Sequence, residues 1–412
     1  MLKFGYASLL AAALVSLGAI SAPAKTDGFV VNAYLGGEVR VYPDDPAWAG
    51  QQDEIFWPSV FGQIDATLTW DGGRQEIQVT PFGRYDVYDS RRTHADLREA
   101  NYSYRGDGWD VLVGAHVVFW GRAESRHLVN VINQVDLVEN FDAESYLGQP
   151  MINLNFTGDW GKFGIYAMTG FRNQTFAAND GRLRGPAMIA AYDPQFECSA
   201  EEWCWDFAGR YENSFGPLDV GLSYFHGTNR EPILVPFGAQ LAPFYQRMDQ
   251  AGLDAAYAWG NFIFKLEAIY RWNAESPLAM GTGRDHFFAT TFGGEYTWKD
   301  PFDDGFDLGF LLEYNYDDRD FTQPVTISDN DVFAGIRFTF NDESDTHALI
   351  GAQIDVRNGS SYVYLESSRR VGDDWRVGLE ARIFTGNERD PLQAVDHDSY
   401  VQLKATKYFS LN

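Results

Sequence analysis

Charged, aromatic and amide side chains that could act on a solute are concentrated between Trp120 and Pro150. Guanidinium, carboxylate and amide groups that line a narrow passage select solutes by charge and by hydrogen bonding. Asn and Asp side chains also bond their own backbone and fix tight turns, so residue type alone leaves both roles open. The residues concerned are Trp120, Arg122, Glu124, Arg126, Asn130, Asn133 and Asp136.

Metal and cofactor chemistry has little support in the sequence. The chain has 2 Cys, Cys198 and Cys204, which excludes a Cys-rich zinc module. In an exported protein these two residues are expected to form a disulfide. Acidic pairs such as Asp44-Asp45 lack the ligand spacing of a calcium loop and predict a solvated surface. We therefore expect no cofactor and no metal site.

The net charge argues against nucleic acid as a partner. The chain carries 58 acidic and 32 basic residues, which gives a formal net charge of −26. Binding to a phosphate backbone needs clustered Lys and Arg, and this composition does not provide them. Aromatic residues make up 16% of the chain and there are 40 Gly, a mixture that suits many short strands better than helices.

The N-terminus has the pattern of an export signal. Lys3 precedes an apolar run from Ala7 to Ile20, and Ala22-Pro23-Ala24 supplies small residues before a cleavage point. The sequence therefore predicts a signal peptide over residues 1–24 and one mature domain over residues 25–412. After the signal, no run approaches the roughly 20 apolar residues that a membrane-spanning helix needs.

Apolar and polar residues alternate with period two in many segments after Lys25, as in Ile64, Ala66, Leu68 and Trp70. This alternation predicts an all-β fold, a transmembrane antiparallel β-barrel of about 18 strands (range roughly 16 to 20), with a soluble sandwich as the alternative. The predicted strands are 28–42, 60–71, 74–88, 94–105, 109–119, 150–158, 162–171, 205–214, 218–227, 248–259, 261–272, 286–298, 306–317, 330–341, 346–357, 360–370, 375–385 and 397–409.

The connections between these segments alternate mostly between short turns rich in Gly and Asp and longer links. Barrels of the outer membrane have short periplasmic turns and longer extracellular loops. Tryptophans beside the short turns predict an aromatic girdle at the periplasmic interface, since indole rings favour that boundary. These are Trp70, Trp109, Trp160, Trp259, Trp298 and Trp375, and the long links are 43–59, 120–149, 172–204, 228–247, 273–285, 318–329 and 386–396.

The 120–149 link is the third external loop of this predicted barrel. Trp120 continues the inward parity of His116, and Gly121 permits a sharp reversal of the chain. We therefore predict that the link folds into the lumen, where the seven residues named above form a constriction. Polar-face parity places six further side chains on the lumen wall: Arg84, Glu99, Arg105, His116, Arg271 and Arg337.

Several stretches resemble a large, poorly characterised family of Gram-negative outer-membrane barrels. Trp120-Gly121-Arg122-Ala123 is similar to its W-G-x-[AS] motif, and Asn130-Val131-Ile132-Asn133-Gln134-Val135-Asp136 to its N-x-[IL]-N-P-x-D motif, with Gln134 in place of Pro. Leu97-Arg98-Glu99-Ala100 and Asp331-Val332-Phe333-Ala334-Gly335 look like further stretches of it. Members are often associated with transporters of hydrophobic compounds, so the resemblance implies passage of a small molecule.

These patterns predict a porin-like channel or facilitator in the cell outer membrane, reached after export through the inner membrane. Its expected partners are outer-membrane lipid and lipopolysaccharide, the barrel insertion machinery, a small-molecule solute and, as one possibility, further copies of the chain. A structural or assembly barrel with a plugged lumen is an alternative.

A lipid-modifying barrel enzyme is the other alternative. The 7 His are scattered, and the chain has neither an H-E-x-x-H motif nor a G-x-S-x-G nucleophile elbow. His116 near Glu99 or Asp110 is the candidate acid–base arrangement, although a lone lumen histidine is more often a hydrogen-bonded wall residue. We therefore predict that the chain is not an enzyme.

Overall fold

The computed structural model describes residues 27–273, 276–278, 285–303, 305–387 and 390–411. The predicted signal peptide and part of the 273–285 link lie outside these residues. Within them, no helix is long and apolar enough to cross a membrane.

Eighteen strands of the described chain form one sheet. They are β1 (Gly28–Val41), β2 (Phe56–Trp70), β3 (Gln75–Asp86), β4 (His94–Arg105), β5 (Trp109–His116), β6 (Gln149–Gly158), β7 (Gly161–Met168), β8 (Asp206–Phe215), β9 (Leu218–Thr228), β10 (Arg247–Trp259), β11 (Phe262–Asn273), β12 (His286–Trp298), β13 (Asp307–Asp317), β14 (Asn330–Thr339), β15 (His347–Asp355), β16 (Ser361–Val371), β17 (Trp375–Thr385) and β18 (Tyr400–Leu411).

Each strand pairs antiparallel with its neighbours in the sequence, and the sheet closes on itself. Ala33 of β1 lies opposite Ile64 of β2 on one side and opposite Phe409 of β18 on the other. Closure pairs the first strand with the last and leaves no free sheet edge. The predicted fold, an antiparallel barrel of about 18 strands, is confirmed.

The alternation of residue types gives the barrel an apolar outside and a polar inside. Leu312 and Leu403 are 60% and 61% exposed on the outer face, although the inward neighbour Glu313 is only 2% exposed. Many large apolar side chains face outward in the same way, which in water would expose a wide hydrophobic surface. Such a surface is stable when it faces lipid, so this is a barrel that crosses a membrane with its strands.

The two ends of the barrel differ. At one end the chain turns sharply between strands, and Gly108, Gly216 and Gly260 adopt φ angles of 79°, 64° and 61°, which L side chains rarely adopt. We call this the short-turn end. All six predicted girdle tryptophans lie there, and five of them are 40–64% exposed. The opposite, long-loop end carries the longer connections.

The strand bounds differ from the predicted ones mainly at the long-loop end. β5 ends at His116 and not at residue 119, because the N–H of Val118 donates to Asn133 Oδ1 (2.8 Å) and not to a neighbouring strand. The long loops also contain short strands that the alternation did not predict. Ile233–Phe237 pairs with Gln240–Tyr245, and Gln195–Phe196 joins the same small sheet.

The external loops contact one another across the long-loop end. Arg182, in the connection between β7 and β8, donates to Asp398 Oδ1 (2.5 Å) in the connection that follows β17. Arg184 donates to the carbonyl of Ala49, which follows β1 (2.7 Å). Cys198 and Cys204 are joined by a disulfide in the same β7–β8 connection, with their Cα atoms 6.5 Å apart.

Single cysteines test the orientation of the barrel. In whole cells, Ala239→Cys in the β9–β10 connection should react with a membrane-impermeant thiol label, because this position is exposed at the long-loop end. Asp107→Cys in the turn between β4 and β5 should react only after the cells are permeabilised. Labelling of Asp107→Cys alone in intact cells would show that the barrel has the opposite orientation.

Candidate functional site

Residues 117–148 leave the wall between β5 and β6 and lie inside the barrel; we call this segment the inner loop. His116 and Gln149, at its two ends, are directly paired across the sheet, so a short turn would be enough to connect the strands. The additional length instead brings the inner loop into contact with strands on other sides of the barrel.

Two buried carboxylates of the wall hold the backbone at the start of the inner loop. Glu267 on β11 accepts hydrogen bonds from the N–H groups of Arg122 (2.5 Å), Ala123 (2.9 Å) and Val129 (3.2 Å). Glu313 on β13 accepts from the N–H of Glu124 (2.9 Å) and from both the N–H (2.8 Å) and the hydroxyl (2.7 Å) of Ser125. The sequence did not single out either carboxylate as an anchor.

The charged residues predicted for the constriction form ion pairs with the wall. Arg122 contacts Asp254 on β10 (Nε to Oδ2, 3.1 Å), and Glu124 contacts Arg337 on β14 (2.9 Å). Arg126 contacts Asp317 at the end of β13 (2.8 Å). Each of these predicted residues therefore lies inside the barrel, with its charge already matched by an opposite one.

A second set of contacts anchors the later part of the inner loop on the other side of the lumen. Glu139 contacts Arg84 on β3 (2.8 Å) and His94 on β4 (2.7 Å). Burial alone would raise the pKa of the Glu139 carboxyl, but Arg84 and the His94 hydrogen bond outweigh it and hold the pKa well below its usual range. Arg382 on β17 contacts Asp142 (3.0 Å). Neither Glu139 nor Asp142 is among the residues predicted from the sequence.

The predicted amide residues hold the fold of the inner loop itself. Asn133 donates to the carbonyls of His116 (2.8 Å) and Leu147 (2.9 Å), and so ties together the two ends of the inner loop. Asn130 accepts from the N–H of Trp120 (3.3 Å). For these two side chains the structure supports the turn-fixing role that Asn commonly has.

Asp136 is fully buried beside His94 and Glu139, and the ligating atoms of these three residues lie within 4.8 Å of one another. Three such groups could hold a metal ion. However, Asp136 contacts Arg98 (3.2 Å) and the hydroxyl of Thr175 (2.8 Å), and Arg84 neutralises Glu139. The guanidinium groups already balance these carboxylates, so we assign no metal site to them.

Apolar side chains of the inner loop pack into one half of the lumen. Trp120, Val129 and Ile132 form a buried cluster with wall residues that include Met168 and Phe225. The guanidinium carbon of Arg210 lies 5.1 Å from the centre of the Trp120 ring, in a cation–π contact. Trp120 therefore anchors the inner loop by packing and does not line an open passage.

The inner loop lies between two cavities of the described structure. A cavity of about 390 Å³ lies toward the long-loop end, and Arg271 of the predicted lumen wall lines it. Another, of about 410 Å³, lies toward the short-turn end, where Arg105 and His116 line it.

Arg84 and Arg337 contact the inner loop, and Glu99 contacts His116 (3.2 Å). All six predicted wall residues therefore lie on the inner face or beside these cavities.

The histidine that the sequence singled out for an enzyme is paired with a carboxylate, Glu99. A different pair has the contact that a nucleophile and its base need: Ser368 Oγ lies 3.0 Å from His347 Nε2. These residues are directly opposite each other on β15 and β16, and Arg376 also donates to Ser368 Oγ (2.8 Å). Cross-strand neighbours form such bonds without any catalytic role.

No protein-family model matches the chain, and no curated protein matches it. Among solved structures, OccAB1 of Acinetobacter baumannii is similar at 8% identity with a TM-score of 0.55, over 95% of this chain and 99% of that chain. OccK9 (OpdG) of Pseudomonas aeruginosa is similar at 10% identity and a TM-score of 0.51, over 93% and 98%. A mutant of the Rh. blastica porin matches with 13% identity and a TM-score of 0.43, over 93% and 100%. At these identities the similarity shows the fold alone.

The packing of the inner loop should weaken in mild acid because of His127. Burial lowers the pKa of its imidazole from 6.5 to about 4, and Glu124 only partly offsets this. A free imidazole takes up a proton near pH 6.5, so the stability that neutral His127 contributes is complete above that pH and is lost as the pH falls toward 4. Hydrogen exchange of residues 117–148, corrected for its intrinsic pH dependence, should be about tenfold faster at pH 5 than at pH 7.

His127→Gln is the matched control, because its amide stays neutral throughout this range. The variant should show the same corrected exchange rates at both pH values. An equally large increase in His127→Gln would contradict the assignment to His127.

Proposed function

We propose that this protein is an outer-membrane channel for small molecules and that the inner loop sets the narrowest part of its passage. The observation that carries the proposal is the position of the inner loop, which is anchored on several sides of the wall and lies between two cavities. A loop of this length inside a barrel is more often functional than a simple connection.

The proposed location rests on the outward apolar belt and on the export pattern of residues 1–24. Closed antiparallel barrels of this kind belong to outer membranes. Export through the inner membrane, contact with lipopolysaccharide and insertion by the barrel assembly machinery are parts of the same proposal. Membership of the family of outer-membrane barrels that carries the W-G-x-[AS] motif is also part of this proposal. Self-association of the chain belongs to the same proposal.

The paired charges favour a selective passage over a wide, unspecific pore. The ion pairs at Arg122, Glu124 and Arg126 fix both partners, so these side chains are not free to move aside for a large solute. Removing one partner of a buried pair costs about 3–5 kcal/mol, so this arrangement persists under ordinary conditions. A solute would therefore pass between the inner loop and the wall without displacing these paired side chains.

Deletion of residues 124–140 should raise single-channel conductance in planar bilayers several-fold, because it removes most of the obstruction between the two cavities. The barrel should still assemble, since the strands pair with one another and bury their outer faces in lipid independently of the inner loop. The 15 residues that remain between His116 and Gln149 are ample for ends that are already adjacent.

The control for this deletion is removal of residues 234–242, most of the external hairpin, which should leave the conductance within about twofold of the wild type. Unchanged conductance in a correctly folded 124–140 deletion would contradict the proposed constriction. If the wild-type protein conducted no ions and instead released fatty acid from phospholipid vesicles, the channel proposal would give way to the enzyme alternative and to the Ser368–His347 pair.

A further inference from the structure

The cavity toward the long-loop end, which we call the upper cavity, has a lining that suggests what it binds. Part of the lining is apolar or aromatic: Leu128, Val131, Phe141, Ile269, Tyr362 and Tyr364. Binding cavities for small organic molecules are commonly lined in this way, with a few polar groups that fix the orientation of the ligand. At about 390 Å³ the upper cavity is large enough for a molecule with one or two rings.

The arginines of the upper cavity are already paired with carboxylates. Five arginines line it, and each contacts a carboxylate: Arg126 contacts Asp317, Arg230 contacts Asp206, Arg271 and Arg319 contact Glu231, and Arg382 contacts Asp142 and Glu366. An anionic ligand would have to compete with these carboxylates, and a cationic ligand with the guanidinium groups. Both exchanges cost the energy of a buried ion pair. Glu144 lines the cavity without an ion-pair partner among the described residues, but burial and the neighbouring Asp142 raise the pKa of its carboxyl well above the usual range, which favours the neutral form. The lining therefore disfavours a ligand with a net charge.

A neutral amide group in the lining of the upper cavity lacks a hydrogen-bond partner. Gln134 is 1% exposed, and its Nε2 has no hydrogen-bond partner in the described structure. Its Oε1 accepts from the N–H of Val135 (3.0 Å), so the orientation of the amide is fixed and the NH₂ group is left over. Asn130 differs, because its Oδ1 accepts from Trp120 and its side chain also bonds Tyr146.

Tyr362 adds a second unpartnered group to the same lining. Its ring is 8% exposed, and its hydroxyl has no partner among the described residues. A buried donor without a partner costs about 1–3 kcal/mol, and such groups are rare in proteins unless something else satisfies them. Two such groups in one cavity, the Gln134 amide and the Tyr362 hydroxyl, indicate a ligand that supplies acceptor atoms.

We infer that the upper cavity binds an uncharged organic molecule with an apolar, ring-containing body and at least one carbonyl or hydroxyl oxygen. The aromatic lining packs against the body, and the Gln134 amide and the Tyr362 hydroxyl donate to the oxygen. The inference rests on the proposed function in one respect, because the bound molecule would be the solute that the channel passes. A purely apolar ligand would leave the Gln134 amide and the Tyr362 hydroxyl unsatisfied, and a charged one would have to displace ion pairs.

Equilibrium binding to the full-length protein in detergent tests this inference. Four probes of similar size separate the alternatives: acetophenone carries a carbonyl, ethylbenzene is apolar, benzoate is an anion and benzylamine is a cation. Acetophenone should bind at least about tenfold more tightly than each of the other three. Gln134→Leu and Tyr362→Phe should each weaken acetophenone binding roughly threefold to tenfold, as expected for the loss of one hydrogen bond.

Gln78→Leu is the matched control, because Gln78 lines the cavity toward the short-turn end and should leave acetophenone binding unchanged. Tyr362→Phe removes a single oxygen atom, so it keeps the test valid if Gln134→Leu fails to fold. Tightest binding of benzoate, benzylamine or ethylbenzene would overturn the inference, and so would unchanged acetophenone binding in both upper-cavity variants.

Conductance of the same preparations distinguishes this inference from the proposed function. Selective acetophenone binding by a protein that conducts no ions would support the binding site and contradict the channel. A protein that conducts ions but shows no selectivity among the four probes would support the channel and overturn the inference.

Discussion

The interior of this barrel depends on buried pairs of opposite charges between the inner loop and the wall. The Glu139–Arg84 pair is typical: both side chains are less than 10% exposed and their charged atoms lie 2.8 Å apart. Neither charge would be stable in a dry interior without the other, because a single buried ion loses its hydration without compensation. The position of the inner loop inside the barrel therefore follows from these pairs.

The same constraint links the interior to the membrane. Every strand must present apolar residues to lipid, and because side chains alternate along a strand, its other face is available for polar groups. Glu267, Glu313 and Arg84 are placed on that inner face, where the inner loop supplies their partners. An apolar outside and a network of ion pairs inside are thus two results of one alternating pattern.

Local pattern was sufficient to predict the barrel but not its internal contacts. The alternation around Ile64 and Leu68 and the turn residues near Gly108 indicated the strands and their order, because strand neighbours in a barrel are neighbours in sequence. By contrast, Glu267 binds the N–H of Ala123 across 144 positions and Glu313 binds Ser125 across 188. Neither the alternation along a strand nor a short motif indicates which distant wall strand a loop contacts. Glu139 was missed for the same reason, although its neighbour Asp136 was identified from a motif.

The central claim is that the inner loop separates two cavities that open to opposite sides of the membrane. Single cysteines at Thr326, in the upper cavity, and at Ser103, in the cavity toward the short-turn end, allow this to be measured in planar bilayers with a bulky thiol reagent. Thr326→Cys should be blocked only by reagent added at the long-loop side, and Ser103→Cys only by reagent added at the short-turn side. Equal rates of block from both sides at either position would contradict the account.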